Sequence, residues 1–335
     1  MTGTNVTATA ARGQLFAGRG TTVGAGILAL AAIVAYFLLP DDLAFLTRII
    51  STILFVLSLD LVVGYAGIAT LGHSVLFGAG AYAAGIVAVH MYNEPAILLL
   101  VGGLAGALMG LVNGALIVRF SGLPQLVLSI AFVQLMHELA NKASAWTGGS
   151  DGLSGIEPTK VLGMFGFDLG GRTAYISSVA VLLLTVIILR RIVRSPFGLL
   201  CQGIREDPIR VSAMGGNVFA SLVAMYAISG AVAGLGGALA AVTAGVVGLD
   251  SVSFERSADA LVMLVLGGAG SLYGAIIGTV VFQAFEHIVS AANPFHWLTL
   301  VGALLIAVVL VLPTGLQGLG KLVASLLTAN AGAKP

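Results

Sequence analysis

Charge is what this chain has least of. Of its 335 residues only 9% are Asp, Glu, Lys or Arg, against 58% that are hydrophobic. A water-soluble domain carries roughly 25% charged residues, so a chain of this length could not clothe an aqueous surface. A soluble enzyme is excluded, and an integral membrane protein is implied. The formal net charge of +1 says nothing about nucleic acid, which is not an expected partner. Cys201 is the only cysteine, which rules out an intrachain disulfide and a thiolate metal cluster; it reads as a small apolar filler. The five histidines are scattered, with no H-E-x-x-H and no metal-ligand spacing. No G-x-S-x-G elbow offers a nucleophile either. Gly315 to Lys321 matches G-x-x-x-x-G-K, but Leu322 stands where the magnesium-binding hydroxyl belongs, and a membrane span precedes it instead of a strand. No catalytic residue, cofactor or metal is expected, and any ATP chemistry must belong to another subunit.

What the chain does have is long apolar runs. A span needs about 20 apolar residues, and candidates lie at 23–39, 43–62, 73–91, 96–118, 123–141, 173–189, 217–240, 257–270, 273–290 and 297–312. The runs are continuously apolar, whereas barrel strands alternate. The fold class is therefore an all-α polytopic membrane protein with about ten transmembrane helices, eight at the fewest. Residues 1–22 form a polar tail, 23–316 the membrane domain and 317–335 a second tail. The run at 23–39 is too long for a signal-peptide core and no A-x-A-like site follows it.

Lysine and arginine mark the inner side of a membrane protein. With the N-terminus inside, the inner segments hold Arg12, Arg19, Arg119, Arg190, Arg191, Arg194, Arg205, Arg210, Lys321 and Lys334, leaving Arg48, Lys142, Lys160, Arg172 and Arg256 outside. Both termini and the polar interval 190–217 are then cytoplasmic, and the loop 142–172 faces out with Trp146 as an interface anchor. Within the interval, Asp207-Pro208 opens and Gly215-Gly216 closes a two-turn helix, by the usual preferences for caps. A capped surface helix between spans suggests a docking element.

Glycine interrupts the apolar runs twice, at 64–74 and at 245–257. Each break precedes a span, and the two enter from opposite faces, as an inverted repeat of spans 2–5 and 7–10 would have it. Irregular backbone at membrane depth is tolerated beside protein or water, so paired breaks point to a translocation path. Gly67, Gly72, His73, Ser74, Ser253, Phe254 and Glu255 are the candidate path residues; ordinary loops between close-packed helices are the competing reading. Glycines at 102, 106, 110 and 114, at 230 and 234, and at 274 and 278 form small-residue stripes for close helix packing. Asp60, His137, Glu138, Asp259, Glu286 and His287 all sit near span ends, where charge is cheap; Arg256 is placed to pair with Asp259.

Several of these stretches resemble one family. Leu61 to Gly67, Leu71-Gly72-His73, Phe77 to Tyr82, Thr147 to Leu153, Ser195 to Gly198, Ile204 to Asp207, Ala213 to Gly215, Ser253 to Ser257 and Val265 to Gly274 are similar, in order, to branched-chain amino acid ABC transporter permeases of the LivM type. Gly203 departs from the alanine more usual there. The resemblance covers residues 45–316 and implies an ABC importer permease architecture in a bacterial inner membrane. It implies as partners two cytoplasmic ABC ATPase subunits, a second related permease, an extracytoplasmic substrate-binding protein and membrane lipid. It also makes Arg205, Glu206, Asp207, Pro208, Ile209, Arg210, Met214 and Gly215 the ATPase-coupling residues. Relatives that move urea, amides or aromatic acids leave the solute open. An ion-coupled carrier or channel is the reading from another class.

Overall fold

The computed structural model describes residues 28–40, 42–157 and 171–292, with isolated positions 26, 159, 299 and 302. The tails, the tenth span at 297–312 and most of the loop 158–170 lie outside the described residues. Long helices dominate: α1 (Leu28–Leu38), α2 (Leu43–Asp60), α3 (Ser74–His90), α4 (Pro95–Ile117), α5 (Leu123–Lys142), the short α6 (Ser144–Thr147), α7 (Arg172–Arg194), α8 (Pro196–Glu206), α9 (Pro208–Ala213), α10 (Val218–Ala244), α11 (Phe254–Gly267) and α12 (Leu272–Ala292). Six of them are long and apolar enough to cross a membrane, with α1 and α3 shorter apolar helices beside them. The chain is an all-helical, multi-pass membrane protein. A two-residue antiparallel ribbon joins β1 (Leu153–Ser154) to β2 (Val246–Val247).

The core runs down α2 and α10. Leu54, Phe55, Val56, Leu57 and Leu59 of α2 are almost fully buried, as are Met225, Tyr226, Ala233 and Ala238 of α10. Helix α4 shows how glycine sets the packing. Its Leu100, Leu104 and Leu108 recur every fourth residue on an exposed face suited to lipid. The opposite face carries the glycine stripe and meets the stripe of α10. A methyl group added at Gly106 would sit 2.1 Å from the Gly230 carbonyl oxygen, and one at Gly234 would sit 2.2 Å from that of Gly102. Backbone touches backbone there, which only a residue without a Cβ allows. Gly267, Gly274 and Gly278 repeat this at the crossing of α11 and α12.

Helix α2 ends in a π-helical turn at Leu61–Tyr65, a feature that recurs at functional sites. The polar interval holds more helix than its composition suggested. Helix α7 continues to Arg194, Ser195 caps α8 by accepting from the Gly198 amide, and α9 follows at once. Asp207 caps α9, its Oδ1 accepting from the amides of Ile209 and Arg210 at 3.1 and 3.0 Å. Gly215 closes it with φ +87°, a conformation that favours glycine.

Candidate functional site

The N-terminal ends of α2, α7 and α11 and the C-terminal ends of α10 and α12 surround an open cavity of about 760 Å³. That is within the range of roughly 300–1,000 Å³ usual for small-molecule sites. Its wall is polar toward the mouth. Thr47, Arg48, Ser51 and Thr52 come from α2, Glu255 and Asp259 from α11, and Gln283 and Glu286 from α12. Hydroxyls of α2 are occupied by its own backbone: Thr47 bonds the Leu43 carbonyl, and Ser51 and Thr52 bond that of Arg48. Arg256 is held in place as well. Its Nη2 lies 2.9 Å from Asp250 Oδ2, its Nε donates to the Asp250 carbonyl, and its guanidinium stands 4.9 Å over the Phe77 ring. The close ion pair of Arg256 is thus with Asp250, while the expected partner Asp259 feels the same guanidinium at longer range. The 3-10 turn at Leu249–Val252 folds Asp250 back under the arginine.

Phe55 and Phe77 floor the cavity, their ring centroids 5.1 Å apart. Under them lies a polar layer. His73 is fully buried; its Nε2 is 3.0 Å from Ser58 Oγ and 3.1 Å from Ser229 Oγ, and its ring stacks on Phe55. Tyr226 borders the same histidine at 6.3 Å. Among the described residues, His73 Nδ1 and Ser74 Oγ are buried and have no hydrogen-bond partner. At this depth the two glycine-rich breaks meet, because the Ser74 amide donates to Ser257 Oγ at 2.9 Å.

The far end closes the column. The Gly270 amide donates to Asp60 Oδ1 at 2.7 Å, tying the α11–α12 turn to the end of α2. The Arg205 guanidinium, from α8, donates to the Gly64 carbonyl in the π turn. Its aliphatic stem lies over Gly67, where an added methyl would come within 2.7 Å of Cγ. Gly67, at φ +73°, thus yields the space that Arg205 needs.

The residues singled out from the sequence fall into separate places. Ser253 and Glu255 line the cavity. Phe254 packs instead into the apolar cluster around Val75 and Val133. His73 and Ser74 lie beneath the floor, Gly67 touches Arg205, and Gly72 packs against the Ser129 backbone. Of the interval residues, Arg205 reaches inward, whereas α9 turns outward. Val211 anchors it against Gly216, while Ile209 and Met214 are 82% and 73% exposed. Arg210 pairs with Asp207 across one turn at 3.5 Å, Glu206 is exposed, and Pro208 sits in the first turn. Sequence reasoning did not assemble Arg48, Phe55, Phe77, Gln283 and Glu286 into one site. The signal available was an excess of ionisable groups at one end of spans 2, 8 and 9.

Comparison with known proteins places these features in context. The family described as "Branched-chain amino acid transport system / permease component" matches residues 43–309. The high-affinity branched-chain amino acid transport system permease protein LivM of Escherichia coli K12 is 28% identical over 297 residues, covering 82% of this chain and 69% of that protein. LivM of Salmonella typhimurium matches to the same extent. The permease protein LivH of the same Salmonella is 34% identical over 125 residues, 37% of this chain and 40% of its own length. No solved structure matches the chain significantly.

Proposed function

Because the chain belongs to the family of branched-chain amino acid transport system permease components, we propose that it forms the translocation path of an ABC importer for branched-chain amino acids. The observation that carries this reading is the linkage from α9 to the closed end of the column. Helix α9 and its C-cap offer Ile209 and Met214, two large apolar side chains, among charged residues on an exposed surface. Apolar anchors with a charged rim suit a protein partner, and in this reading the partner is a cytoplasmic ATPase. Arg205, in the last turn of α8 and two residues before the Asp207 junction, carries the movement to Gly64 and so to α2. Arg205 to Gly215 then act as the coupling segment, and the cavity opens toward an extracytoplasmic binding protein.

Partners follow from the same reading. Similarity to both LivM and LivH supports a second, related permease beside this one. Two ATPase subunits supply the energy, and the complex sits in a bacterial inner membrane with both termini in the cytoplasm. Transport proceeds by alternating access. Substrate enters the cavity; ATPase closure then shifts α8–α9, and the Phe55–Phe77 floor and the His73 layer part. Apolar side chains suit that aromatic floor.

The test is reconstitution of the full complex in proteoliposomes. ATP-dependent uptake of leucine, isoleucine or valine is expected, and Ile209→Asp together with Met214→Asp is expected to abolish it while ATPase subunits fail to co-purify. Uptake driven by a proton or sodium gradient without ATP would overturn the reading.

A further inference from the structure

Six ionisable side chains line the cavity, and they do not balance. Arg256 and Asp250 neutralise each other in the ion pair described above. That leaves Arg48 on α2 facing three carboxylates, Glu255 and Asp259 one turn apart on α11 and Glu286 on α12. No ion pair joins Arg48 to any described residue. An acidic group alone would be unremarkable at a wet helix end, but a second observation points to a ligand. Gln283, one turn before Glu286, is only 6% exposed, lines the cavity, and its amide makes no hydrogen bond to a described residue. An amide on the cavity wall with no protein partner among the described residues is free to bond a ligand.

We propose that this wall of the cavity is a subsite for the primary ammonium group of an α-amino acid, held by Asp259, Glu286 and the Gln283 carbonyl. Arg48 takes the carboxylate across the cavity, and the apolar side chain rests on Phe55 and Phe77. The assignment rests on the amino acid importer reading and goes further by giving each end of the zwitterion its own residues. It also sets an order of preference. With three carboxylates against one guanidinium, a ligand that keeps the ammonium and loses the carboxylate is tolerated. A ligand that keeps only the carboxylate is repelled. Carboxylic acids without an amine are therefore rejected by this cavity, even when their apolar parts match.

The experiment is binding by saturation-transfer NMR to the full chain in lipid nanodiscs, with three probes sharing one side chain: L-leucine, 3-methylbutylamine and 4-methylpentanoate. Leucine and the amine are expected to bind, and the acid about tenfold or more weaker, the loss expected when a charge-assisted hydrogen bond gives way to repulsion. Glu286→Gln and Asp259→Asn are expected to weaken leucine and the amine together. Arg48→Gln is expected to weaken leucine and leave the amine unchanged, a reciprocity that general damage to the fold would not produce. The assignment is overturned if the acid binds as well as the amine, or if Arg48→Gln weakens the amine as much as leucine. It is also overturned if no leucine binds the chain while the complete complex imports leucine; the importer reading then survives. Failure of the complex to import any branched-chain amino acid, with ammonium selectivity intact in the nanodiscs, would overturn the importer reading and leave the subsite standing.

Discussion

Asp60 Oδ1 accepts the Gly270 amide at 2.7 Å across 210 residues of sequence. Asp60 thereby ties the α11–α12 turn to the end of α2. Replacing Asp60 with alanine strands the amide and loosens the α11–α12 turn, at a cost of about 1–3 kcal/mol. Asp60→Asn keeps an acceptor and should recover most of the loss. Thermal unfolding in nanodiscs checks this, with a lower midpoint for alanine and a near-native one for asparagine. Equal destabilisation by both would show that the bond is not the relevant contact.

Gly106 and Gly234 stand where α4 and α10 touch backbone to backbone. Gly106→Ala gains about 1 kcal/mol of helix propensity yet places a methyl 2.1 Å from a carbonyl oxygen, and the helices must separate to admit it. A net loss of about 1–3 kcal/mol is expected. Leu104→Ala, two residues away on the exposed face, should change stability by about 0.5 kcal/mol or less. Guanidine-free thermal denaturation of the two variants side by side decides it.

Asp207 caps α9 with two backbone hydrogen bonds. Asp207→Ala is expected to cost about 0.5–2 kcal/mol locally, fraying a helix of only six residues. Asp207→Ser should restore the cap. Hydrogen exchange at Ile209 and Arg210 reads the fraying directly; unchanged protection in the alanine variant would contradict the capping role.

Cys201 lies buried on α8, its Sγ turned toward the Ser221 carbonyl at 3.9 Å. Burial pushes the thiol up from its ordinary 9.0 to about 11. The folded form thus holds its proton more tightly than the unfolded one. This contribution to stability is complete below about pH 9 and is lost as pH rises through about 11. Maleimide labelling of the native protein should therefore be slow at neutral pH and accelerate only above about pH 9. Rapid labelling at pH 7 would mean that α8 does not stay packed against α10.

Much of this was legible beforehand because it depends on neighbours in sequence. The α9 caps are written in Asp207-Pro208 and Gly215, and the α4–α10 seam in glycines at every fourth position. Helix α8 was missed although Ser195-Pro196 announces its start, because its eleven residues fall short of a span and sit inside a polar interval. The cavity was out of reach for a different reason. Arg48, Glu255 and Gln283 belong to three helices, and their meeting depends on how α2, α11 and α12 pack. Spacing along α11 pointed Arg256 to Asp259 and could not show that the preceding turn delivers the closer Asp250.

The layered column has an electrical consequence. Below the aromatic floor comes a buried imidazole with its hydroxyls, and below that the knot of Asp60, Gly64, Arg205 and Gly270. An apolar barrier above buried groups bonded to one another makes the passage of a bare ion costly. Little of a cell's proton gradient is then expected to leak through such a protein at rest.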